Sequence, residues 1–359
     1  MKSQTYPNSR NGLDVRTALV FLVITILALS AAVYAGPHGA KVVRGKVQFT
    51  QQGDTLVIKA SNNSIINFRS FNIPAGETVR FVLPSSSSRV LSRVTGGAAS
   101  QIDGMLVCNG RLYLTNYAGV NFGSTAVVNA AALYAVAGNI SDRDFLRKAD
   151  RFSGIAGAVT NDGMLQAQAV HLVGTQVANS GSIIVPAGVV TMTAASGEVY
   201  LVERDGHFLV KVAGASASPA PAAAAAAPLP EANPTNPLAV GDMYSLAVQN
   251  TGTVKAGRVA VGGEGAKVDV SGTIDAANPT GRGGDVRITG QQISVAAAAI
   301  DASGATGGGE IVILASNTDK SRFAKSSVFV SSDSIISASA GVSGNGGRIT
   351  VKADDLAMV

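Results

Sequence analysis

The chain has no tryptophan, one cysteine and only three histidines, and each shortage removes a class of chemistry. A lone Cys108 forbids an internal disulfide and any cysteine-built zinc cluster. It sits in MLVCNG, where a small buried residue suits a strand. Arg111, the nearest basic residue, lies an odd number of positions away, on the opposite strand face, so packing rather than a reactive thiol is the expected role. His38, His171 and His207 are far apart and fit no HExxH or His-rich ligand pattern. Charged residues make up only 14% of the chain, and the 28 basic and 23 acidic ones are scattered. Neither a basic stripe nor aromatic platforms are visible, which argues against nucleic-acid binding.

What the chain has instead is 46% hydrophobic residues and 41 glycines, with abundant Val, Ile, Ala, Ser, Thr and Asn. Such a composition suits many short strands joined by frequent corners, so the expected class is all-β. Arg111–Gly123 shows the unit: Leu112, Leu114 and Val120 alternate toward a core, and Asn116, Ala118 and Gly119 supply a tight corner.

Before the first strand, Lys2, Arg10 and Arg16 precede the uncharged apolar run Ala18–Ala32, which ends in Val33-Tyr34-Ala35. This reads as a secretory signal peptide over 1–35, cut after Ala35, with an uncleaved anchor as the competing reading. Next, Val47 and Phe49, then Leu56 and Ile58, alternate around Gln52-Gly53-Asp54, an opening hairpin. Asn67 and Asn72 point to opposite faces if their strand is unbroken, so a buried one would need internal partners. SDRDFLRKADRF gathers charge most densely; Ser141 or Asp142 can cap a short helix, and the run reads as a solvated loop projecting from the body.

From Gly157 the sequence repeats itself. Val159-Thr160-Asn161-Asp162-Gly163 recurs 18 residues later as Val177-Ala178-Asn179-Ser180-Gly181. Repeats of about 20 residues with short strands indicate a solenoid whose coils bury their apolar faces on one another. Asn at a fixed corner tolerates left-handed backbone and can hydrogen-bond to the neighbouring coil. Residues 214–238 are Ala- and Pro-rich without alternation, an expected linker between a domain over 36–213 and further repeats over 239–359. There the pairs Gly283-Gly284, Gly308-Gly309 and Gly346-Gly347 open similar units at offsets of 25 and 38 residues. No polar cap follows the last unit, which reads as a frayed tip or a shortened array.

No phosphate loop, nucleophile elbow or dinucleotide fingerprint is present. Asp275, Asp285 and Asp301 call for comparison, because acids stacked on successive coils can bind calcium or act as acid and base on polysaccharides. Ile274-Asp275-Ala276 and Ile300-Asp301-Ala302 can stack, but the third coil has Ser337 there and the calcium-binding nonapeptide is missing. The expectation is therefore no catalytic residue, metal or cofactor.

IINFRSFNI at 65–73, GETVRFVLP at 76–84, the stretch 92–123 and NISDRDF at 139–145 together resemble the filamentous haemagglutinin N-terminal, or two-partner secretion, domain of bacterial exoproteins. The likeness covers roughly 44–213, and GGDVRITG and SGNGGRITVKADD resemble the repeats that follow in some relatives. It implies a right-handed parallel β-helix with an N-terminal capping hairpin. It also implies Sec export through the periplasm, recognition by an outer-membrane TpsB-type β-barrel transporter, and a secreted or surface-attached, non-enzymatic product that serves adhesion, with host or surface glycans as candidate ligands. A polysaccharide-active β-helix enzyme and a passive biofilm matrix protein are the alternatives. Family members carry Asn-Pro-Asn-Gly where this chain has Asn116-Tyr117-Ala118-Gly119, so Asn116 and Gly119 are kept. With Asn67 and Asn72 they are the candidate transporter-recognition residues.

Overall fold

A computed structural model of the chain describes residues 36–204, 207–213, 246–317 and 325–359. The expected signal peptide 1–35, its cut after Ala35 and the Ala/Pro-rich segment 214–238 lie outside the described residues. The chain divides between Ala35 and Gly36, and all described residues belong to the unit Gly36–Val359.

Nearly every element of this unit is a strand, and most strands pair in parallel with the strand one coil later. The product is a parallel β-helix of three faces. An 18-stranded sheet forms the first two, because strands such as Met105–Asn116 and Val127–Val136 run on from one face to the next; a nine-stranded sheet forms the third. Because the pairing is in register, each inward position repeats itself along the axis. Val79, Leu106, Val128, Leu165 and Ile183 form one such column on the first face. Val159, Val177, Val248, Val268 and Ile293 form another on the third. All ten are buried, and each contributes about 1.5–3 kcal/mol from burial of its side chain.

The corner between the third and first faces is set by asparagine. Asn161, Asn179 and Asn250 occupy equivalent positions and are 0%, 1% and 0% exposed. Asn161 Nδ2 donates to Asn179 Oδ1 at 2.8 Å, and Asn179 Nδ2 donates to Asn250 Oδ1 at 2.8 Å. Every donor thus points toward the C-terminal coil. At the head of the column Asn161 faces Phe122, which has nothing to donate, and its Oδ1 has no hydrogen-bond partner. Two residues on from these asparagines stand Gly163, Gly181 and Gly252. A Cβ on Gly181 would lie 2.2 Å from the Gly163 carbonyl oxygen, so stacking itself demands glycine here.

The N-terminal end is closed by antiparallel strands. Val47–Gln52 and Thr55–Ala60 form the hairpin, and the latter pairs in parallel with Thr78–Val82. Lys41–Arg44 lies antiparallel on Ser64–Phe68. Exposed Lys41, Arg44 and Lys46 put charge along this edge, which disfavours addition of another strand. At the other end Ile349, Leu356 and Met358 are exposed. The coil of Gln176–Asn179 and Ser182–Ala194 stacks directly on the first coil after 214–238: Val177 pairs with Val248, and Ile183 with Val254.

One expectation is corrected. The charged run after Asn139 does not project into solvent. Its helix, Asp142–Arg147, is capped by Ser141, whose side chain accepts from the Asp144 amide. Phe145 and Phe152 turn inward and are fully buried. They join a second core built on the outer side of the second face, beneath a four-stranded antiparallel sheet of Asn139–Ile140, Arg151–Ser153, Glu198–Arg204 and His207–Ala213. Charge density marked the exposed side of this element and concealed the two phenylalanines that hold it down.

Replacing Asn179 tests the corner. Asn179→Ala strips the acceptor from Asn161 and the donor from Asn250 within a dry column, and a loss of about 3 kcal/mol is expected for two buried amides left half-satisfied. Urea unfolding of wild type and variant measures it.

Candidate functional site

Three of the four recognition candidates converge on one short strand, Ser100–Ile102. At the corner after Met105–Asn116, the Gly119 N–H donates to the Asn116 carbonyl at 3.0 Å and the Ala118 N–H to Asn116 Oδ1 at 3.0 Å, a turn closed by backbone and side chain together. Asn116 Nδ2 then donates to the Ala98 carbonyl at 3.0 Å and to Ser100 Oγ at 3.1 Å. Asn116 has no exposed surface, and all of its amide is committed inside the protein. Gly119 adopts φ of 119°, and a Cβ there would lie 2.8 Å from the Ala158 carbonyl oxygen. Its own carbonyl accepts from the Ser100 N–H at 3.0 Å. Asn72 reaches the same strand from the preceding coil, with Oδ1 accepting from the Gln101 N–H at 2.9 Å. Between Asn116 and Gly119 the side chain of Tyr117 stands 37% exposed, the outward mark of this corner.

Asn67 belongs elsewhere. Its strand, Ser64–Phe68, ends before Asn72, so the two do not share an unbroken strand. Asn67 Oδ1 accepts from Arg93 at 3.3 Å. Arg93 also donates to Asn139 Oδ1 at 2.9 Å, to the Ile140 carbonyl at 2.8 Å and to Asp142 at 2.6 Å. This guanidinium, anchored on the second face, is what ties down the start of the capped helix. Asn67 is thus a support for a latch, remote in role from the Asn116 corner.

The stacked acids are where the repeat put them. Asp275 pairs in register with Asp301, and Asp301 with Ser337. Each carboxylate is occupied locally. Asp275 takes Lys255 at 2.8 Å and the Ala277 N–H at 3.0 Å, while Asp301 takes the Ser303 N–H at 2.8 Å. Among the described residues no three His, Cys, Asp or Glu side chains gather as a metal site. Cys108 is buried, and burial pushes its thiol up to about 11, the state of an inert packing residue.

Sequence reasoning missed the buried polar stack on the outer side of the second face. Leu91, Tyr113, Tyr134, His171 and Thr191 occupy one outward column on successive coils. The Tyr113 and Tyr134 rings are parallel with centroids 4.0 Å apart, and the His171 ring lies 4.6 Å from Tyr134. His171 Nδ1 is 3.0 Å from Thr191 Oγ1. The Tyr113 hydroxyl donates to Asp150 at 2.9 Å. Arg89 closes the top, donating to the Phe145 carbonyl at 2.6 Å with its guanidinium carbon 4.7 Å from the Phe145 ring centroid. Burial, and then the neighbouring Tyr134 and Asp150, raise the Tyr113 hydroxyl above the usual tyrosine range. Burial raises the Asp150 carboxyl and, helped by Arg111, pushes His171 down to about 3. The signal was present as Leu-Tyr-Leu, Leu-Tyr-Ala and Val-His-Leu, a polar ring between two inward residues at the same place in successive units. Alternation assigns such rings to solvent, and only the covering sheet reverses that. His38 pairs with Ser70 in an isolated bridge at the N-terminal end, and the side chain of His207 lies outside the described residues.

A protein-family model described as the TPS secretion domain matches residues 34–275, more than half of the chain. Among curated proteins, a heme/hemopexin-binding protein of Haemophilus influenzae strain Rd is 33% identical over 180 residues, covering 46% of this chain and 20% of its own length. A second Haemophilus influenzae protein of the same description is 36% identical over 122 residues, covering 32% of this chain and 13% of its own. The chain therefore spans a fifth or less of the length of these relatives. Among solved structures, the HMW1 secretion domain from Haemophilus influenzae superposes with a TM-score of 0.62 at 21% identity, over 90% of this chain and 96% of that one, a likeness of fold.

The buried histidine gives the fold a pH signature. With a folded pKa of about 3 against 6.5 when free, the unfolded chain binds more protons between those values, so this contribution to stability is complete above 6.5 and is lost as pH falls. Asp150, raised by burial, acts with the opposite sign, contributing most at low pH, and is common to wild type and variant. His171→Gln is expected to flatten the acid-side slope of stability against pH by up to one tenfold change in the folding equilibrium per pH unit, read from denaturation midpoints across that window.

Proposed function

As the chain belongs to the TPS secretion domain family, we propose that it is an exoprotein whose N-terminal coils direct its own export through a TpsB-type β-barrel transporter. TPS-domain proteins are secreted through an outer-membrane transporter to the cell surface or beyond it. In this reading the transporter is this chain's partner, and the β-helix that emerges serves adhesion, with host or surface glycans as its ligands.

The observation that carries the reading is the complete enclosure of Asn116. A side chain with no exposed surface, bonded to Ala98, Ser100 and Ala118, can be read by a partner only before its coil closes. Recognition of an extended chain, followed by folding outside, reconciles a recognition role with a structural one. Asn72 fits the same scheme, since it completes the same strand, whereas Asn67 contributes through Arg93. The local engagement of Asp275 and Asp301 by Lys255 and backbone N–H groups supports a binding surface over a polysaccharide-cleaving pair, which needs carboxyls free to exchange protons with substrate.

The test compares secreted fractions in cells carrying the cognate transporter. Deleting 44–213 is expected to abolish export. Asn116→Ala is expected to lower it several-fold, and by more than Asn179→Ala, which also removes buried corner bonds but lies outside the candidate set. Export of the deleted chain would sink the proposal, and equal export of the two point variants would remove Asn116 from it. Urea unfolding of both purified variants separates lost stability from lost recognition.

A further inference from the structure

Asparagine followed by glycine is the sequence most prone to intramolecular imide formation, since no side chain shields the following backbone nitrogen. Three such pairs occur: Asn11-Gly12, outside the described residues, Asn109-Gly110 and Asn345-Gly346. The two described pairs stand in opposite environments.

Asn109 is fixed. Its Oδ1 accepts from the Leu83 N–H at 2.7 Å and its Nδ2 donates to the Leu83 carbonyl at 2.8 Å. Gly110 lies within a strand, enclosed by Leu83 and the Ser88 carbonyl, each 2.6 Å from where a Cβ would be. Rotation of the amide toward the next nitrogen would break two hydrogen bonds.

Asn345 is free to rotate. It is exposed, and among the described residues its carboxamide makes no hydrogen bond. Its neighbour Gly346 is also exposed, and among the described residues its N–H has no backbone partner; a Cβ there would meet only the Ala338 carbonyl oxygen, at 3.9 Å. Stacking forces the glycines at 308 and 347, where a Cβ would come within 2.0 Å of a carbonyl oxygen, but not the one at 346. Both residues line a cavity of about 420 Å³ with Arg282 and Arg348. Arg282 is held there through Nε to the Gly308 carbonyl at 3.1 Å, and the Gly308 N–H in turn donates to the Asn345 carbonyl at 3.0 Å. Arg282 and Arg348 give the lining of this cavity two positive charges, a setting that favours the anionic nitrogen through which imide formation passes.

We propose that Asn345 is a site of spontaneous deamidation in the folded protein, converting to aspartate and isoaspartate while Asn109 is protected. The Gly346 nitrogen attacks Asn345 Cγ as its proton is lost, the Cγ–Nδ2 bond breaks, and ammonia leaves carrying that proton. Water then opens the five-membered imide at either carbonyl, leaving a carboxylate in place of the amide. The aspartate product puts a negative charge on the cavity lining that Arg282 and Arg348 share. The isoaspartate product lengthens the main chain just before Gly347, whose N–H donates to the Ala338 carbonyl at 2.7 Å, and so loosens the strand Arg348–Ala353 from its neighbour.

Peptide mass spectrometry of the purified full chain, aged in mildly alkaline buffer either native or in urea, tests this. In the native protein the peptide containing Asn345 is expected to convert on the order of tenfold or more faster than that containing Asn109, with the difference largely lost in urea. Gly346→Ala, which fits the available space, should suppress native conversion at Asn345 strongly. Arg282→Gln with Arg348→Gln should slow it in the native protein but not in urea. Equal native rates at 345 and 109, or an undiminished rate in Gly346→Ala, would overturn the proposal; an unchanged rate in the double arginine variant would overturn the part assigned to the guanidinium groups.

Discussion

Parallel, in-register stacking is the constraint on which everything else in this protein depends. Coils about 4.8 Å apart place each side chain directly over its counterpart, so a residue type is admissible only if it tolerates its own kind as a neighbour. Branched aliphatics do, and they fill the columns through Val128 and Val248. An amide does so better than any other polar group, since it donates from one side and accepts on the other; hence Asn161, Asn179 and Asn250 lie buried and bonded to one another. Parallel tyrosine rings manage it by stacking. Carboxylates do not, and Asp275 over Asp301 persists with Lys255 and local N–H groups attending.

A second constraint comes from the outer faces. A helix of strands buries only its inward residues, yet here the second face is buried on both sides. The cover is assembled from two separate excursions, 139–153 and 198–213, which meet edge to edge where Phe152 pairs with Val199. Arg89 and Arg93, both from the strand Arg89–Val94, reach up to hold the first of them by its carbonyls. Early coils therefore determine where later chain can settle.

This explains which features could be read from the residues alone. Period-two alternation and the recurring Asn-x-Gly corner act locally, and they located the strands, the Asn179 contact to the next coil and the Asp275–Asp301 stack. The opening hairpin around Gly53 was equally local. The position of Phe145, the burial of Tyr113 and His171, and the detachment of Asn67 from Asn72 depend on partners dozens of residues away. No periodicity encodes them. At the candidate site, Asn116 and Gly119 were legible as a corner because Asn and Gly are what a corner requires; their convergence with Asn72 on Ser100–Ile102 was not, because it joins three different coils.

The asparagine column has one further implication, for how such a chain can grow. Asn161 and Asn179 are 18 residues apart and Asn179 and Asn250 are 71 apart, yet both joints close with the same 2.8 Å bond. The joint is indifferent to what the chain does between its two halves. The extra chain leaves after Ser182–Ala194 and returns at Ala247–Asn250, at the opposite end of the third-face strand from the asparagines. Surface novelty can accumulate by insertion at that corner while the asparagine seam and the shaft beneath it stay unchanged.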